Sequence, residues 1–79
     1  MPETRLTCLN PNHAHAVVLA ARSDSDTTRT IRQDGAQVVI GYQGDIRWPV
    51  DVTEWALKSG HIHDDEADRV IASLAAIAA

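Results

Sequence analysis

The side chains best suited to chemistry in this chain are one cysteine and four histidines: Cys8, His13, His15, His61 and His63. The histidines fall into two His-x-His pairs. On a strand, positions i and i+2 point to one side, and three or four such ligands would complete a tetrahedral zinc site. A small zinc-binding module using Cys8 and the histidines is therefore one reading. Against it, the Cys8-x4-His13 spacing is not a usual zinc knuckle, His63 has a simpler role as a helix cap, and histidines beside turns are ordinary. No metal ligand is assigned and no cofactor is expected. Cys8 with a histidine is also the candidate pair for nucleophilic catalysis. Nothing supplies an oxyanion hole, Ser59-Gly60-His61 reads as a helix end, and Gly41-x-x-Gly44 is not a phosphate loop. The expectation is a protein that is not an enzyme.

Charge is the second resource. The formal net charge is −4 over 79 residues. Acids and bases balance up to Gly44. From Asp45 onward the acids Asp45, Asp51, Glu54, Asp64, Asp65, Glu66 and Asp68 outnumber the bases Arg47, Lys58 and Arg69. An acidic excess argues against direct nucleic-acid binding, which needs cations to displace the counterions of phosphate. It suits a basic protein or nucleoprotein complex, or it keeps a small protein soluble. Asp64-Asp65-Glu66-x-Asp68 lacks the alternating ligands and the glycine of a calcium loop, and the dipole of a helix start explains it. Trp48 and Trp55 lie among these carboxylates, and tryptophan is enriched at binding hot spots. Asp45, Trp48, Asp51, Glu54, Asp64, Asp65 and Asp68 are the expected partner-binding residues. The competing reading makes Trp55 the main core residue of its helix and packs Trp48 under a crossover.

These residues must be positioned by one small α+β domain spanning residues 1–79. Its centre is a hairpin over 28–42, TRTIRQDGAQVVIGY, turning at Asp34-Gly35. A type I′ turn there would pair Gln33 with Ala36, Ile31 with Val38 and Arg29 with Ile40. Ile31, Ala36, Val38, Ile40 and Tyr42 would then share a face, with Thr30, Arg32 and Gln37 on the other. Residues 4–9 make a short strand with Leu6 and Cys8 on one side. Residues 13–22, HAHAVVLAAR, read as strand because the hairpin needs neighbours; the alternative is a helix with Asn10 as N-cap and Pro11 at N1. Residues 23–27 are a polar loop. The chain leaves the sheet through Gly44 and reaches Pro49. A short helix then starts at Asp51, with Glu54 completing a capping box and Val50 stapled to Trp55, and it ends at Gly60. The next helix is capped by His63, with Glu66 at N3 and Ala67, Val70, Ile71, Leu74, Ile77 and Ala78 in one apolar stripe. The sum is an antiparallel three- to four-stranded sheet followed by a C-terminal αα-hairpin packed on one face.

The core is thin, with no Phe and much alanine, and self-association as a homodimer would relieve the shortage. The lone Cys8 fits a reducing cytoplasm, and no apolar run reaches the length of a membrane span. Residues 55–74, WALKSGHIHDDEADRVIASL, resemble the widespread helical hairpin in which a leucine-lysine and a C′ glycine precede an isoleucine and a capped acidic helix start. That resemblance covers about a quarter of the chain and implies a packing or interaction element. As a whole, the chain resembles the small acidic single-domain proteins of phages and mobile elements of GC-rich bacteria, many of which inhibit host defence, anti-CRISPR proteins among them. The class has no shared motif, so no residue role is carried over. What the resemblance implies is an inhibitor of a basic nucleic-acid-handling complex.

Overall fold

A computed structural model describes residues 2–22 and 29–78; the expected loop 23–27 and Thr28 lie outside them, as does the side chain of Ala78. The elements run β1 (Glu3–Thr7), α1 (Pro11–Ala21), β2 (Arg29–Asp34), β3 (Gln37–Tyr42), α2 (Arg47–Lys58) and α3 (Asp64–Ala78). The three strands form one antiparallel sheet in the order β1-β3-β2. β1 and β2 are thus parallel to each other with β3 inserted between them, a split βαβ arrangement. The helices cover one face of the sheet: α1 packs on β2 and β3, and α3 on β1 and α2. Leu6, Val17, Val38, Ile40, Val70 and Leu74 are fully buried between the layers.

The α+β class and the packed C-terminal helical hairpin agree with the sequence. Residues 13–22 do not form a strand. Asn10 accepts a hydrogen bond from the His13 N–H (2.9 Å), Pro11 occupies the first turn, and the segment is helix to Ala21. The neighbour that the hairpin needs is β1, so local capping decides this segment in favour of helix. The turn also sits one residue later than a type I′ Asp-Gly turn. Asp34 pairs with Gln37 and Ile31 with Ile40, which leaves Gly35-Ala36 as the loop. Only Gly35 has a positive φ, 62°, as a type II′ turn requires at its first central position. The shift moves each partner by two residues, which preserves the faces: Val38, Ile40 and Tyr42 remain buried and Ile31 packs beside them.

The helix expected from Asp51 begins at Arg47 instead. Pro49 sits in its first turn, where the missing N–H had no partner to lose. Asp45 accepts from the Arg47 N–H (2.8 Å) just ahead of the helix, while the N-cap, Ile46, makes no side-chain cap hydrogen bond. With Asp51 already inside the helix, the capping box at Asp51 and the staple from Val50 to Trp55 do not form. The buried face of α2 is Pro49, Val52, Thr53 and Ala56, which turns Trp55 outward. Its end matches expectation. The N–H of Gly60 (φ 78°) bonds the Leu57 carbonyl and that of His61 bonds the Ala56 carbonyl, a Schellman motif. In α3, Ala67, Val70 and Leu74 are buried. Ala75, Ala76 and Ile77 are all exposed, so the apolar stripe expected to run to Ala78 is buried only as far as Leu74.

Glu66 does more than the N3 position implies. Its carboxylate accepts from the Thr7 N–H (2.6 Å) and from Arg69 (2.8 Å), while Arg69 donates to the Arg5 carbonyl (3.0 Å). This carboxylate–guanidinium pair satisfies backbone groups along the outer side of β1, covering an edge that would otherwise invite strand addition.

Candidate protein-binding groove

Trp48, Asp51, Val52 and Trp55 follow at helical spacing and lie on one side of α2. Opposite them stands the C-terminal end of α1, which has no charged residue along its length. Ala20, Ala21 and those four α2 residues line a groove of about 270 Å³. Trp55, on the α2 wall, is 40% exposed. The core role expected for Trp55 is therefore not seen, while Trp48 lines the groove and also touches the core. Trp48 packs against the core, and Trp55 is absent from it, because α2 starts four residues earlier and presents a different face to the sheet.

A second depression, about 200 Å³, continues from the first through Trp48 and Asp51 and adds Arg29, Asp45 and Arg47. Arg29 lies over the Trp48 ring at 5.3 Å, a cation–π distance. Arg47 approaches Asp45 at 3.6 Å. Asp45, Trp48 and Asp51 are thus brought together, but two arginines stand among them. Glu54, one turn after Asp51, is exposed on α2. Asp64, Asp65 and Asp68 are exposed at the start of α3, beyond the far end of α2. Asp65 borders a separate open depression of about 420 Å³ with Cys8, His63, Glu66 and Arg69. The acidic residues form two groups, one around the groove and one at the head of α3.

The histidines divide in the same way. His13 and His61, 48 residues apart, meet with their Nδ1 atoms 2.8 Å apart. The ring centroids are 5.1 Å apart, close to that distance plus one ring radius on each side, so the two nitrogens face each other nearly in line. This suits a shared N–H···N proton; a chelated ion would need lone pairs converging on a third point. Among the described residues, no three of His, Cys, Asp and Glu stand where they could hold one ion. His61 is fixed by the Schellman bond of its N–H and by the Leu9 N–H, which donates to its carbonyl (3.0 Å). Trp55 packs on its ring at 5.3 Å between centroids. Cys8 is buried, and burial, aided by the nearby Glu66 carboxylate, pushes its thiol up to about 11, so at neutral pH it is a protonated thiol.

The sequence reading missed the α1 wall, since a strand at 13–22 would not present Ala20 and Ala21 together, and it missed the His13–His61–Trp55 chain, which only tertiary folding assembles. The absence of any charge in 11–21, behind Asn10-Pro11, is the signal for an apolar helix face. No helix is long and apolar enough to cross a membrane among the described residues. Compared with known proteins, the chain matches no family model, no curated protein and no solved structure, so the functional reading rests on this geometry.

Proposed function

We propose that this protein is a non-enzymatic binding protein that docks on a basic partner through the α1–α2 groove and acts as an inhibitor of a nucleic-acid-handling complex in the cytoplasm. The observation that carries the reading is the exposed Trp55 in an apolar groove bordered by Asp51. Burying an exposed indole in a desolvated pocket is a recurrent source of binding energy. Asp51 at the rim and Glu54 one turn on favour a cationic partner, while Asp45 is paired with Arg47. Asp64, Asp65 and Asp68 lie outside the groove and contribute long-range attraction.

The test is capture of partners from bacterial lysate by the tagged protein at low and high salt, with its mass measured by light scattering. Recovery of a basic protein or nucleoprotein at low salt, lost at high salt, supports the reading. Recovery of the protein alone, with a dimer mass, replaces it with a self-associating accessory domain whose interface would be the groove bearing Trp55.

A further inference from the structure

The His13–His61 contact has a consequence for the groove, because the same imidazole that meets His13 carries Trp55 on its other side. An in-line contact between two Nδ1 atoms requires one N–H and one lone pair. It can hold a single proton between the rings, whether the pair is neutral or carries one positive charge. Two imidazolium rings would each point an N–H at the other, and the contact would become a like-charge repulsion at hydrogen-bond distance. The backbone of His61 is fixed by its bonds to Ala56 and Leu9, so its side chain is the part free to respond.

We infer that the His13–His61 pair is a proton-sensitive latch on the groove: with one shared proton it holds His61 under Trp55, and a second proton parts the rings and releases the indole. The other ionisable groups of the surrounding elements are Cys8 on the connection from β1, His15 on α1, Arg47, Asp51, Glu54 and Lys58 on α2, His63 in the turn, and Asp64, Asp65, Glu66, Asp68 and Arg69 on α3. None of them hydrogen-bonds or ion-pairs with either ring among the described residues. On β2, Arg32 faces Glu3 and Asp34 binds Arg5. Among the described residues, no carboxylate joins the two rings in a cluster that could neutralise a second charge on the pair. The sign follows from proton counting. An unfolded chain can take a proton on both Nδ1 atoms, whereas the in-line contact has room for only one between the rings. The unfolded state binds more protons, so acid favours unlatching and, beyond it, unfolding. Each pH unit is then worth up to about a tenfold change in the equilibrium.

Regulation of docking by this latch rests on the binding reading above; the latch itself does not. The experiment follows the isolated protein between about pH 5 and 8, the span in which histidine changes charge. Trp55 emission is read in the Trp48→Phe chain, where it is the sole indole, and the histidine ring resonances are read in the wild type. Coupled titration of His13 and His61, accompanied by a Trp55 transition that His13→Gln abolishes or displaces, is expected. Stability in urea should also fall more steeply with acid in the wild type than in His13→Gln. Trp55 emission that does not change, or changes identically in His13→Gln, would overturn the latch. So would independent titration of the two wild-type rings, a readout that needs no variant to fold. Failure of the binding reading looks different: the Trp55 transition persists while no partner is captured at any pH.

Discussion

Glu66 is the residue on which the most depends. Its carboxylate joins the edge of the sheet to α3 and holds Arg69 in place. The Arg69 hydrogen bonds keep it below the usual carboxylate range; burial opposes this and the Thr7 N–H adds to it. Glu66→Ala leaves the Thr7 N–H without its partner and should cost about 2 kcal/mol, read as a lower urea midpoint with an unchanged slope. A depressed carboxylate contributes fully above its unfolded titration range and loses that contribution as pH falls through its lowered native value. The stability gap between wild type and Glu66→Gln should therefore persist at neutral pH and close only below the ordinary carboxylate range. Tyr42 gives the opposite expectation. Its hydroxyl is buried without a hydrogen-bond partner among the described residues. Tyr42→Phe removes an unsatisfied group and should leave stability unchanged or raise it by up to about 1 kcal/mol, measured by the same unfolding curves.

At the scale of elements, two caps decide where the helices lie. Asn10→Ala removes the side-chain acceptor for the His13 N–H and should cost about 1 kcal/mol. Because His13 is the residue so capped, the variant should also loosen the His13–His61 contact, visible as a change in both ring resonances. Gly60→Ala forces a side chain into φ 78° and should cost about 1 kcal/mol, with the loss appearing as a lower melting temperature. These elements also mark how much of the fold was legible. Leu6 of β1 and Cys8 just beyond it both turned to the core, the hairpin faces, the Gly60 stop and the acidic start of α3 follow from local chemistry and appear as expected. At α1 the strand preference of Val17-Val18 competes with a good N-cap and a first-turn proline, and the cap wins. At α2 a proline that reads as a boundary is accommodated in the first turn, so the helix starts at Arg47. A start at Asp51 implies a core Trp55, and a core Trp55 leaves no groove. The seven acidic and aromatic positions could be chosen from composition, but which of them adjoin depends on where α2 begins.

For the whole molecule, the sheet has one face under the helices and one open to solvent. On the open face Val39 is only 1% exposed, flanked by Arg5 and Arg32 across the strands, whose long stems can cover an apolar neighbour. Arg5 is in turn bound to Asp34 and Gln37. That face is internally paired, and Glu66 and Arg69 bind backbone groups on the outer side of β1; exposed apolar side chains remain at Trp55 beside the α1–α2 groove, and also at Leu9, Leu19 and Ile77. The two acidic groups should then behave differently. Reversing Asp64, Asp65 and Asp68 to lysine should slow association and flatten its salt dependence, since distant charges act mainly on encounter. Changes in the groove should act on dissociation.

The most direct measurement is side-by-side capture from lysate at low salt by the wild type and by the Asp51→Arg/Trp55→Ala variant, each first shown to be folded by circular dichroism. Truncating a buried aromatic anchor typically weakens binding by about 30-fold or more. A basic partner retained by the wild type and lost by the folded variant is the expected result. Equal recovery of the same partner by both chains would contradict docking through the groove.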